Sequence, residues 1–146
     1  MGKTKCGKGT KVVDIVDRTG LPLGVHVASA SRNEALLIEP TLDRLQLPEL
    51  VPEHLLYDKA ADSDSLRKRL HGERGIELVC PHRRNRRKKP MQDGRAIKRY
   101  KRRFTVERTH SWFHNFRRLI IRYECTSDRF LGWIYIACVL ITLRRF

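Results

Sequence analysis

Residues 54–80 read HLLYDKAADSDSLRKRLHGERGIELVC. Two short, mainly apolar runs, His54–Tyr57 and Ile76–Cys80, stand on either side of a polar, basic segment. Short apolar runs bounded by turn signals suit buried strands. Ser63 or Asp64 supplies the N-cap of a helix running to about His71, and Gly72 and Gly75 mark its stop. A strand, a helix and a further strand in this order point to a mixed α/β sheet.

Towards the N-terminus, Lys11–Asp17 is rich in Val and Ile and reads as a strand. Arg18-Thr19-Gly20 gives a turn and Leu21–Ala28 a second strand, so the pair predicts a β-hairpin. We expect that hairpin to share one sheet with the strand before Asp58. Residues 1–10, rich in Gly and Lys, read as an irregular basic N-terminus. Asn33 is placed to cap a helical stretch over Glu34–Leu45, which Pro40 kinks or splits. Gln46–Glu53, with Pro48 and Pro52, reads as a connection.

Towards the C-terminus the composition changes after Pro81. Residues 81–94 read as a basic loop, and 12 of the 21 residues from Arg83 to Arg103 are Lys or Arg, opposed only by Asp93. Nothing breaks a helix from about Arg95 to Tyr123. Phe104, Trp112, Phe113, Phe116, Leu119, Ile120 and Tyr123 recur at helical spacing, so one face is expected to pack on the sheet. Ser127 or Asp128 caps a last helix whose apolar run, Phe130–Leu143, is bracketed by Arg129 and Arg144. That run is well short of the roughly 20 residues a membrane helix needs, and it reads as a buried terminal helix.

The chain carries 31 Lys and Arg against 16 Asp and Glu, a net charge of +15. Such an excess opposes compaction unless a polyanion neutralises it. Nucleic acid is the common partner and an anionic membrane its rival. Cys6, Cys80, Cys125 and Cys138 form no Cys-x-x-Cys knuckle, and no His pair has zinc-finger spacing. No secretory leader is evident, which points to the cytoplasm and reduced thiols.

Tyr100, Arg103, Glu107, Ser111 and His114 fall at intervals of three or four residues and share one helical stripe. On periodicity alone, a lone acid among arginines reads as a salt-bridge acceptor. Asp58 ends a strand, the place where ligands and metals sit in α/β folds; it also reads as a simple strand terminator.

Several ordered blocks give these residues a context. They are Gly2-Lys3-Thr4-Lys5, Lys8-Gly9-Thr10-Lys11 and Val16-Asp17-x-x-Gly20-Leu21-Pro22-Leu23. Next come Asp58-Lys59-Ala60-x-Asp62-Ser63-Asp64-x-Leu66-Arg67 and Pro81-His82-Arg83-Arg84-Asn85-Arg86. Last come Tyr100-x-x-Arg103-x-x-Val106-Glu107-Arg108-Thr109-x-x-Trp112, Asn115-Phe116-Arg117-Arg118-Leu119 and Ala137-Cys138-x-Leu140-Ile141-x-Leu143-Arg144-Arg145. Together they resemble the C-terminal part of the catalytic domain of DDE transposases from bacterial insertion sequences, over residues 1–146.

The resemblance implies an RNase H-like α/β fold, incomplete because its first strand is missing. It implies three carboxylates holding Mg²⁺ or Mn²⁺, with Asp58 the second Asp and Glu107 the Glu. Tyr100 and Arg103 match the family's tyrosine and arginine upstream of the glutamate. His114 stands where many members carry lysine, and Ala61 where an aromatic is usual. The family's first Asp belongs upstream of the Gly2–Lys5 block, and neither Asp14 nor Asp17 matches it. The implied function is DNA transposition by metal-dependent cleavage and strand transfer, with the chain inactive by itself. The alternative is a non-catalytic DNA-binding remnant or regulator of an intact transposase. Implied partners are element ends and target DNA, an upstream-encoded transposase segment and further copies on DNA. The implied location is the nucleoid.

Tyr100, Arg103, His114, Arg83, Arg84, Arg86 and Arg87 are the expected DNA contacts. If the Arg83–Arg103 region neutralises about six phosphates, the logarithm of affinity falls against log salt with a slope of about −5. A salt titration measures this; a slope near zero, or undiminished binding after neutralising Arg83, Arg84, Arg86 and Arg87, contradicts it.

Overall fold

The computed structural model describes residues 2–4, 7–45, 49, 51–84 and 104–145. In chain order the elements are β1 (Gly2–Thr4), β2 (Gly7–Val16), β3 (Pro22–Ser29), α1 (Ile38–Leu42), β4 (His54–Leu56), α2 (Asp64–Arg74), β5 (Glu77–Val79), α3 (Phe104–Phe113), α4 (Arg117–Ile120) and α5 (Ser127–Leu143). They form two compact units. One comprises Met1–Gln46 with Phe104–Phe146, the other Leu47–Arg103.

The Leu47–Arg103 unit has the strand–helix–strand order its sequence implies. β4 and β5 pair in parallel, with Leu55 opposite Leu78. Tyr57 N–H donates to Val79 O at 3.0 Å and Glu77 N–H to Glu53 O at 2.8 Å, which lengthens the ladder at both ends. Ser63 Oγ accepts from Leu66 N–H and caps α2. Gly75 closes the helix at φ 67°, and the Ile76 N–H returns to Leu70 O at 3.0 Å. This is the left-handed terminator that glycine favours. The helix therefore runs through Gly72, which the sequence reading placed outside it. Gly72 is exposed, and the roughly 1 kcal/mol glycine penalty is outweighed by burial of Leu66 and Leu70 on the opposite side.

The larger unit is built on the antiparallel sheet β1-β2-β3. Residues 2–4 and 7–10 are strands, although their glycines and lysines read as irregular. The outer edge of β2 has open backbone groups there, and pairing Lys3 with Lys8 satisfies them regardless of side-chain propensity. Asp17 makes the β2–β3 turn: its Oδ1 accepts from Thr19 N–H at 2.8 Å and Leu21 N–H at 2.7 Å. Asn33 caps a single 3₁₀ turn, Glu34–Leu36, by accepting from Ala35 N–H. The helix restarts at Ile38, so that Pro40 falls in the first turn, where no N–H is required.

Three further expectations are corrected. The hairpin pairs with β1 and the strand before Asp58 with β5, so two small sheets replace the single expected one among the described residues. Each is closed locally, one by a tight turn and one by a helical crossover. The uninterrupted helix to Tyr123 is also broken. α3 ends at Phe113, Asn115 and Phe116 donate to Trp112 O and Phe113 O in a tightened last turn, and Phe116 is extended before α4. That break lets Phe113, Phe116 and Leu119 all meet one core with Val25.

α5 is the third. Phe130, Ile134, Ala137 and Ile141 are buried against Val25 and Phe113, whereas Trp133, Ile136, Val139, Leu140 and Leu143 are exposed. The helix read as a buried terminal helix is thus buried along one face within its unit. Among the described residues, no helix is long and apolar enough to cross a membrane.

The two faces predict opposite responses. Ile134→Ala should destabilise the chain by about 2–5 kcal/mol through the cavity it leaves. Ile136→Ala should change stability by less than about 0.5 kcal/mol. Chemical denaturation measures both; equal losses contradict the one-sided packing.

Candidate active site

Asp58 follows β4 directly. Its Oδ1 accepts the Ala60 N–H at 2.7 Å and caps the 3₁₀ turn Lys59–Ala61. Among the described residues, its Oδ2 makes no hydrogen bond. The strand end therefore fixes this carboxylate by its Oδ1.

Four residues on, Asp62 has a different setting. Its side chain is 2% exposed. Its Oδ1 accepts from Arg67 Nη1 at 2.8 Å and His82 Nδ1 at 3.0 Å, and its Oδ2 from Arg83 N–H at 2.8 Å. Burial pushes this carboxyl's pKa up, but the bonds from the Arg83 backbone, Arg67 and His82 outweigh it and hold it well below the carboxylate range. Arg67 also donates to Cys80 O and Sγ, and burial pushes the Cys80 thiol up.

Glu107 lies on an exposed face in the first turn of α3, where a negative charge suits the helix dipole. The next three residues fix that helix to the β2–β3 hairpin. The Arg108 guanidinium donates to Thr19 O, and Thr109 Oγ1 donates to Gly20 O at 2.6 Å. His110 Nε2 lies 2.6 Å from Asp14 Oδ1. Gly20 sits at φ 89°, and a Cβ there would come within 3.2 Å of Arg108 Nη2 and of Thr109 Oγ1. Both the backbone conformation and the close approach of α3 require glycine.

The Asp14 side chain is 2% exposed, and its Oδ2 is buried without a hydrogen-bond partner among the described residues. The hydrogen bond to Asp14 pushes His110 up; burial opposes this, and the charges of Asp14 and Glu107 add to it.

The remaining sequence-derived positions divide as follows. His114 is exposed just beyond α3, with its N–H on His110 O. Arg84 is exposed. Arg83 donates Nε to Lys59 O at 3.1 Å and Nη2 to Ala60 O at 2.7 Å, so its guanidinium ties the turn beside Asp58. Tyr100, Arg103, Arg86 and Arg87 lie outside the described residues. Asp58 belongs to the Leu47–Arg103 unit and Glu107 to the other. Among the described residues, no three His, Cys, Asp or Glu side chains cluster as metal ligands.

Sequence reasoning gave no role to Asp14, Asp62, Arg67 or His82. The readable signal for Asp14 is an acid inside Val12-Val13-Asp14-Ile15-Val16, where a charge must be partnered if it points inward.

Residues 2–142 match the Transposase DDE domain. The chain belongs to the DDE transposase family. It is 33% identical to the transposase ascribed to insertion sequence element IS402 of Burkholderia cepacia, over 94% of this chain and 65% of that relative. It therefore spans just under two thirds of that relative's length. It is 27% identical to the transposase ascribed to insertion sequence element IS6501 of Brucella ovis, over 92% of this chain and 98% of the relative. No solved structure gives a significant match.

In this transposase domain the Asp14–His110 pair predicts a pH dependence. His110 titrates at a higher pH folded than unfolded, so the pair's contribution is complete below about pH 6.5 and is lost as pH rises through the raised folded value. The melting-temperature difference between wild type and His110→Gln should be largest near about pH 6 and shrink towards about pH 9. A difference independent of pH contradicts the pairing.

Proposed function

We propose that the chain is the C-terminal part of an RNase H-like transposase catalytic domain that cuts and joins DNA at the ends of an insertion sequence. The family match over residues 2–142 is the observation that carries this reading. Asp58, held by one oxygen at a strand end and with no hydrogen bond on the other among the described residues, adds support from geometry.

Asp58 and Glu107 are oxygen donors of the kind hard divalent cations prefer, so they fit two of the three ligands the family resemblance implies. Mg²⁺ or Mn²⁺, when bound, activates the attacking oxygen and stabilises the leaving one in displacement at phosphorus. The protein's own part is positioning. The Ala60 N–H orients the Asp58 carboxylate, and the Arg108–Thr109–His110 contacts hold the helix that presents Glu107. Arg84, His114 and the basic residues between Arg83 and Arg103 neutralise DNA phosphates. Element ends and target DNA are the partners, with further copies assembling on the DNA in the nucleoid.

A second reading is a DNA-binding regulator without catalysis. Cleavage of a duplex carrying element ends, in Mg²⁺, separates the two. The transposase carrying these 146 residues should cut such a duplex. Asp58→Ala or Glu107→Ala should then abolish cleavage while changing DNA affinity by less than about threefold, because phosphate contacts dominate affinity. Cleavage indifferent to both substitutions overturns the catalytic reading.

A further inference from the structure

We infer that Asp62 is a positioning residue for Asp58, acting through a buried network that locks together the chain leaving β4 and the chain leaving β5. The inference rests on the reading of Asp58 as a metal-ligating carboxylate, and it assigns Asp62 a scaffold role rather than a ligand role.

Sequence alone groups Asp58, Asp62 and Asp64 as three acids within seven residues, a spacing that invites reading all three as ligands. The structure divides them. Asp62 has two donors on Oδ1 and one on Oδ2, so both of its oxygens are occupied. Asp64 lies 3.6 Å from the same Arg67. Asp58 keeps an oxygen with no hydrogen bond among the described residues.

The network has a definite mechanical route. β4 and β5 are parallel neighbours, so the segments following them, 57–62 and 80–83, emerge at the same edge. Asp62 draws the second segment in through the Arg83 N–H and the His82 ring. Arg83, held by its backbone, then reaches back with its guanidinium to Lys59 O and Ala60 O. Those carbonyls belong to the turn whose Ala60 N–H fixes Asp58. Arg67, itself buried, braces Asp62 from α2 and contacts Cys80 at the end of β5. Hydrogen bonds connect Asp62 to Asp58 through Arg83 and the turn at every step.

Charge, and not shape alone, makes the arrangement work. A buried carboxylate without partners is strongly unfavourable, and a buried guanidinium equally so. Asp62 and Arg67 stabilise one another where neither would sit alone. Replacing Asp62 by Asn removes the charge opposing Arg67 and puts an amide where an acceptor oxygen stood, so Arg83 is no longer held and the turn loosens. Leu66, Leu70, Leu78 and Val79, which form the unit's core, are untouched by the change.

The test uses the full chain and two readouts. Hydrogen exchange followed by NMR should show the Ala60 amide exchanging at least about tenfold faster in Asp62→Asn than in wild type, with the Tyr57 and β5 amides changed little, as expected for local rather than global opening. Arg83→Met, at an exposed position, should give the same selective loosening without risk to folding. Mn²⁺ affinity, followed by electron paramagnetic resonance, should fall by about 10–100-fold in Asp62→Asn, the usual effect of removing an outer support. Asp58→Ala serves as the reference for metal binding. Ala60 exchange unchanged in both Asp62→Asn and Arg83→Met overturns the positioning role, as does a loss shared equally by all amides. If Ala60 loosens selectively but Asp58→Ala leaves Mn²⁺ affinity unchanged, the scaffold role of Asp62 stands and the ligand role of Asp58 fails.

Discussion

A carboxylate taken out of water must be met by donors, and in this chain two such carboxylates organise the surroundings of the two candidate ligands. Asp62 lies four residues after Asp58 and gathers Arg67, His82 and the Arg83 backbone. Asp14 faces His110, three residues after Glu107. Asp62 is satisfied on both oxygens and Asp14 on one, by His110, and the nearby acid that is read as catalytic remains half-buried or exposed. The energetics favour this division. A fully paired buried charge is rigid, and loss of one partner leaves the other stranded in low dielectric. The backbone that carries Asp58 and Glu107 is therefore set by interactions that strengthen with burial.

The arginines show the same division of labour. Composition treats every basic residue as a candidate phosphate contact. In the structure the Arg145 guanidinium lies 4.1 Å from the Trp112 ring centroid, and Arg108 lies over the same ring at 5.4 Å. Arg118 lies over both Tyr123 and Trp133, and Arg122 lies over Phe130 and donates to Thr10. Guanidinium groups are weakly hydrated and stack well on aromatic faces, so these side chains help pack the helices against the hairpin. Part of the arginine excess behind the net charge of +15 is thus engaged in packing.

What was legible in the sequence follows from local physics. Ser63, Gly75 and Asn33 act as caps and stops because capping is decided within a few residues. The 54–80 segment and the 11–28 hairpin are read correctly for the same reason: their patterns and turns are self-contained. The misreadings turn on pairing and packing that residue type alone does not report. Strand formation at residues 2–4 depends on the open edge of β2. The end of α3 at Phe113 depends on a core that Phe113 and Phe116 enter from different directions. The exposed face of α5 carries the same residue types as its buried face, so hydropathy cannot tell them apart. The candidate site divides likewise. Asp58 and Glu107 stand out by resemblance, whereas the Asp14–His110 contact spans 96 positions and leaves no local pattern.

The central claim is that Asp58 and Glu107 bind divalent cations at the service of DNA chemistry. Its most direct test replaces Mg²⁺ with Fe²⁺ in the DNA complex, with the upstream segment present, and maps where hydroxyl radicals generated at the metal cut the polypeptide. Backbone cuts should concentrate at residues 56–62 and 104–110, disappear with excess Mg²⁺, and weaken with either Asp58→Ala or Glu107→Ala. Cuts at only one of these segments, or cuts at both that persist in Asp58→Ala and Glu107→Ala, would contradict the account.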